Sequence, residues 1–194
     1  MTDSTRARAL KACLLLSLLL LMSPQQTHAR TLLPLPARDH LTEQEMDLVR
    51  EAQALDKRTA VFIRAIERRL LVITDPTAAA ASKQVQKETE KWGELPKGTR
   101  AELLSDIAKI LDEAITNIDD VSERDDKNPL LPKSLRLLSA AATRFIPQLT
   151  PMRDQAKEEG ERESLEQALE SAQSIIEAAN KLPPEVKTKG KNKS

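Results

Sequence analysis

Leu103, Leu104, Ile107, Ile110, Leu111, Ala114, Ile115, Ile118 and Val121 recur three and four residues apart along one stretch of the chain. That spacing lines them up on one face of an α-helix, and it breaks the strict alternation that a half-buried strand requires. A helix with one apolar face cannot stand alone in water, so the stripe demands partners of the same kind. The rest of the sequence supplies them. Only 4 glycines and no tyrosine occur among 194 residues, and the abundant Ala, Leu, Glu, Lys, Gln and Arg lose little rotamer freedom in a helix.

Four further helices can be placed by periodicity and punctuation. Leu41-Thr42-Glu43-Gln44-Glu45-Met46 reads as a helix start, with Thr42 and Glu45 at capping-box spacing and Leu41 set to staple onto Met46. Apolar residues from Leu48 to Ile73 continue that helix, which should stop before Asp75-Pro76. A weaker, second helix is expected over Thr77 to Trp92, with Gly93 as its exit. Thr99 and Glu102 cap the third, regular helix, which should reach about Arg124. Leu135 to Met152 predicts a fourth helix with a kink or break near Pro147 and Pro151, and Leu165 to Leu182 a fifth that ends at Pro183-Pro184. Amphipathic helices joined by short loops are expected to pack as antiparallel neighbours. The expected fold is therefore all-α, an up-and-down bundle of four main helices plus one short helix, spanning residues 42–182.

The N-terminus has a different character. Arg6, Arg8 and Lys11 precede an eleven-residue, largely apolar run from Ala12 to Met22, and Thr27-His28-Ala29 offers a small-residue cleavage site. This is the pattern of a secretory signal peptide over residues 1–29. The run falls well short of the roughly 20 apolar residues that cross a bilayer, so no transmembrane segment is expected after cleavage. Cys13 lies at the start of the run, where a lipoprotein signal would place its cysteine after it. Residues 30–41, with Pro34 and Pro36, read as an extended arm, and residues 183–194 as a disordered, lysine-rich tail. The expected destination is the periplasm or the outside of the cell.

Export also removes chemistry. Cleavage after Ala29 takes away the only cysteine and one of 2 histidines, leaving 27 basic and 29 acidic residues. A chain of that balance has no overall charge for nucleic acid. It has no thiol nucleophile, thiolate metal site or covalent haem motif. A dinuclear iron bundle needs Glu-x-x-His pairs, and the one remaining histidine, His40, precedes the first helix. The acids Asp119, Asp120, Glu123, Asp125 and Asp126 lack the alternation, turn glycine and final glutamate of a calcium loop. No cofactor, metal or catalytic residue is assigned.

One face of the first helix is left over by its core stripe. Lys57, Arg64 and Arg68 align opposite Leu55, Phe62 and Ile66, with Val61, Leu71 and Val72 beside them. They form either a solvated basic face whose last turn is covered by a loop, or a surface for a partner, since arginines beside aliphatic residues suit interfaces. The third and fifth helices are acidic, with seven acids against three bases from Arg100 to Arg124 and seven against two from Glu158 to Lys181. The basic end of the first helix is expected to lie against one of them.

The function this supports is a non-enzymatic one: an exported helical protein that binds an unknown protein or envelope component, or self-associates. A holdase-like envelope chaperone is the first alternative, and a small enzyme using paired carboxylates is the second.

Overall fold

The computed structural model describes residues 39–184, so the expectations for the signal peptide, for residues 30–38 of the arm and for residues 185–194 of the tail lie outside it. The chain divides into residues 1–37 and 38–194, and everything below concerns the second unit. Among the described residues all regular structure is helical: α1 (Glu43–Glu51), α2 (Leu55–Thr74), α3 (Pro76–Ala81), α4 (Lys83–Trp92), α5 (Arg100–Arg124), α6 (Leu130–Gln155) and α7 (Glu159–Asn180). Helices α2, α5, α6 and α7 are the four long ones. Three short helices accompany them where one was expected.

The expected first helix is two helices. Ala52, Gln53 and Ala54 break it, although none is a proline or glycine, and Arg58 Nε donates to the Ala52 carbonyl at 3.1 Å across the corner. The physical reason lies further along. Glu45 and Arg69 form an ion pair at 3.0 Å, whereas one straight helix would hold residues 24 positions apart separated by about 36 Å. The expected second helix is likewise divided at Ser82, whose hydroxyl accepts from the Val85 amide at 3.4 Å and so caps α4. Gly93, at φ 66°, ends α4 where the exit was expected.

Both capping boxes form. Thr42 Oγ1 accepts from the Glu45 amide at 3.2 Å, and Thr99 Oγ1 from the Glu102 amide at 3.2 Å, with each glutamate returning to the amide of its own cap. Helix α5 then runs unbroken and buries Leu103, Leu104, Ile107, Ile110, Leu111, Ala114 and Ile118.

Of the kink or break expected near Pro147 and Pro151, the break does not occur, and both sit inside continuous α6. Phe145, Leu149 and Met152 are buried on the inner face, while both prolines are exposed. Their missing amides would have bonded the carbonyls of Thr143 and Pro147, so the lost bonds fall on the outer face of the helix.

Helix α2 packs against α5 and α6, α7 packs against the same two, and α2 and α7 do not meet. Side-chain pairs give the directions. Arg58 reaches Asn117 at 2.8 Å and Arg69 reaches Asp106 at 3.4 Å, so α2 and α5 run oppositely. Asp56 with Lys133 and Glu67 with Arg144 show that α2 and α6 run the same way. Helices α5 and α6, joined by five residues, touch at few positions despite their short connection. Loop length had suggested close neighbours, but α6 makes its main contacts with α7 and α2 instead. Buried Ala141, Ala142, Ala168 and Ala172 are small enough to let α6 and α7 approach closely.

Candidate functional site

Two parts of the surface merit description, and the first is the leftover face of α2. Arg68 is only 3% exposed. Its Nη1 donates to the Trp92 carbonyl at 2.9 Å, and its Nη2 to the carbonyls of Gly93, at 3.1 Å, and of Glu94. The guanidinium also lies 5.6 Å from the centre of the Trp92 ring. Burial holds Arg68 below the usual arginine range, with Glu45 opposing that shift and Arg64 and Arg69 adding to it.

Arg64 is half-buried and pairs with Glu88 of α4 at 2.5 Å and with Glu67 at 3.2 Å. Burial pulls its pKa down, but the hydrogen bonds to Glu88 and Glu67 together with their charges outweigh burial and raise it. Lys57 is exposed, and Val61, Leu71 and Val72 are half-buried. The six residues therefore do not form one open face. Helix α4 meets Arg64 and Arg68, Lys57 and Val61 line a depression beside Trp92, and Leu71 lines another beside Val85.

Behind this face lies a group that periodicity passed over. Glu45, Arg69 and Asp106 are 0%, 1% and 3% exposed. Arg69 donates to Glu45 through Nη1 at 3.2 Å and Nη2 at 3.0 Å, to the Ala65 carbonyl at 2.9 Å and to Asp106 at 3.4 Å. The guanidinium thus joins α1, α2 and α5. The signal was present in the pattern: Arg69 falls three residues after Ile66 and seven after Phe62, and Asp106 three after Leu103. Opposite charges on two apolar stripes mark a buried pair. The basic end of α2 does meet an acidic helix, and that helix is α5.

The second feature is a groove of about 210 Å³ between α5, α6 and α7. Ile115, Ile118, Leu135, Leu138, Ile175 and Ala178 line it, with Asp119 and Ser174 as its polar members. Asp112 lies one turn before Ile115, and Glu170 and Glu177 flank Ser174 by one turn on α7. All four acids are exposed.

Among the described residues no three His, Cys, Asp or Glu side chains gather as a metal-ligand set, and no helix is long and apolar enough to cross a membrane. No protein-family model, curated protein or solved structure matches the chain.

Proposed function

We propose that this is an exported, non-enzymatic helical-bundle protein that binds another macromolecule in the cell envelope or outside it. The four long helices make a bundle in the ring order α2, α5, α7, α6, alternating in direction along the chain but with α2 and α6 as parallel neighbours, a reading supported by the pairings of α2 and α7 with the same two helices.

The observation that carries the binding role is the α5–α6–α7 groove. Its floor is aliphatic, Asp119 lines it, and the exposed acids Asp112, Glu170 and Glu177 stand one helical turn from lining residues. The complementary occupant is a basic amphipathic helix that seats aliphatic side chains on the floor and points lysine or arginine at the rim.

A labelled helical peptide of leucine and lysine tests this by fluorescence anisotropy. Saturable micromolar binding that falls with salt, and falls at least tenfold in Asp119→Lys at unchanged melting temperature, is the expected result. Binding that ignores the substitution overturns the reading. Export is tested separately, by sequencing the N-terminus of protein recovered from the envelope fraction, where a start at Arg30 is expected.

The holdase reading stands second. A holdase needs broad apolar surface, and Leu137, at 39%, is the one large exposed hydrophobic residue among those described. For the carboxylate-enzyme reading, Glu158 and Glu161 line one depression together, but Arg100 and Lys157 line it with them.

A further inference from the structure

Helix α4 is held to the body of the protein in an unusual way. Among its described side chains none is buried, so it contributes nothing to the apolar core. Two arginines attach it to α2, and it also packs against α1, with Gly93 lying close to Gln44. Arg64 takes the Glu88 carboxylate at 2.5 Å, and Arg68 takes the carbonyls of Trp92, Gly93 and Glu94 while lying over the Trp92 ring. Two depressions of about 310 Å³ each are lined by α2 together with α4 or its cap, one also by α1 and the other also by Gln148 of α6. Val61 lines one and Leu70 and Leu71 the other, so aliphatic surface of α2 lies beside α4.

We propose that α4 is a displaceable strap occupying a helix-binding face of α2, and that the outside ligand of this face is an acidic partner helix ending in tryptophan.

The recognition chemistry follows from what Arg64 and Arg68 touch. Arg68 bonds main-chain carbonyls, which the C-terminus of any helix presents because its last four have no intrahelical partner. Its planar cation also prefers an aromatic face beside it. Arg64 needs a carboxylate one turn earlier, the position Glu88 occupies relative to Trp92. A helix carrying Glu-x-x-x-Trp at its C-terminal end therefore reproduces the contacts that Arg64 and Arg68 make with α4. The depressions leave room for a ligand with larger aliphatic side chains than α4 offers. Such a ligand gains surface that α4 leaves unfilled, and α4 is released because attachments of this kind open locally before the core does. The face is separate from the α5–α6–α7 groove, so either site can fail while the other stands.

The test uses a fluorescein-labelled peptide of residues 82–95 as the ligand. In the intact protein α4 competes with it. The double variant Glu88→Ala, Trp92→Ala removes the carboxylate and the ring but keeps the main-chain carbonyls, which weakens the hold of α4 on the face; binding at least tenfold tighter than to the unaltered protein is expected, lost again when Arg64→Glu is added. Equal binding to both proteins, or no binding to the double variant, overturns the proposal. Native-state hydrogen exchange on the unaltered protein provides a second reading that does not depend on the variant folding. Amides of α4 should exchange at least a hundredfold faster than those of α5 between Leu104 and Ile118. Equal protection of the two helices overturns the strap.

Discussion

The carboxylate of Glu45 closes its own helix and neutralises Arg69 with the same atoms. Oε2 accepts from the Thr42 amide at 3.0 Å and from Arg69 Nη2 at 3.0 Å, while Oε1 accepts from Arg69 Nη1 at 3.2 Å. The two roles differ in weight. Removing one member of a buried pair leaves an uncompensated charge and costs about 3–5 kcal/mol, whereas losing a helix cap costs about 1 kcal/mol. Urea unfolding should therefore show Glu45→Ala to be several times more destabilising than Thr42→Ala. Similar losses in the two variants would mean that Glu45 acts as a cap alone.

Two glycines should respond to alanine in opposite directions. Gly93 has φ 66°, and a Cβ there would meet the Gln44 side chain at 2.9 Å. A non-glycine residue in such a conformation costs about 1–3 kcal/mol, so Gly93→Ala should lower the melting temperature. Gly160 lies in the first turn of α7, and a Cβ added there meets no atom within 4 Å. Gly160→Ala should stabilise by about 0.4–1 kcal/mol through the unfolded chain's lost freedom. Thermal melts of both variants check the contrast.

Pro147 interrupts the hydrogen bonding of a helix that packing holds together. Its side chain is exposed and nothing in the core depends on it. Pro147→Ala restores an amide donor to the Thr143 carbonyl and should stabilise by up to about 3 kcal/mol. Its buried neighbour behaves oppositely, since Phe145→Ala empties a site that is 1% exposed and should cost about 3–5 kcal/mol. A destabilised Pro147→Ala protein would show that α6 requires the proline.

Asp56 should make part of the stability sensitive to acid. The hydrogen bond from the Lys133 ammonium, at 2.5 Å, holds its carboxyl below the ordinary carboxylate value; burial opposes this, and the Lys133 charge and the Lys57 amide reinforce it. The folded pKa is thus lower than the unfolded one. Its stabilising contribution is complete above the unfolded pKa, near 3.8, and disappears as the pH falls through the folded value. The stability difference between the unaltered protein and Lys133→Met should be present at pH 6 and vanish in strong acid. An NMR titration should show the Asp56 carboxyl moving upward in the variant. A difference that persists at pH 2 would contradict the assignment.

Much of this protein was legible residue by residue. The stripe from Leu103 to Val121, the two capping boxes and the prolines after α7 are local signals, because a helix start or face needs residues only three or four positions apart. The helical class and the bounds of α5 follow from them directly. Arg69 and Asp106 were legible in part, as charges standing where the apolar pattern calls for hydrophobic residues.

Tertiary structure decided what depends on distant residues. The corner at Ala52, Gln53 and Ala54 has no breaker of its own, and it exists because Glu45 must return to Arg69. The same holds for the face of Lys57, Val61, Arg64, Arg68, Leu71 and Val72, which the sequence could mark as unclaimed by the core but could not show to have its two arginines bound to α4. Continuity of α6 through two prolines is likewise a matter of packing on its inner face outweighing a lost hydrogen bond on its outer one. Periodicity reports which side of a helix is apolar; which helix meets it, and which charge it encloses, depends on contacts between residues far apart in the chain.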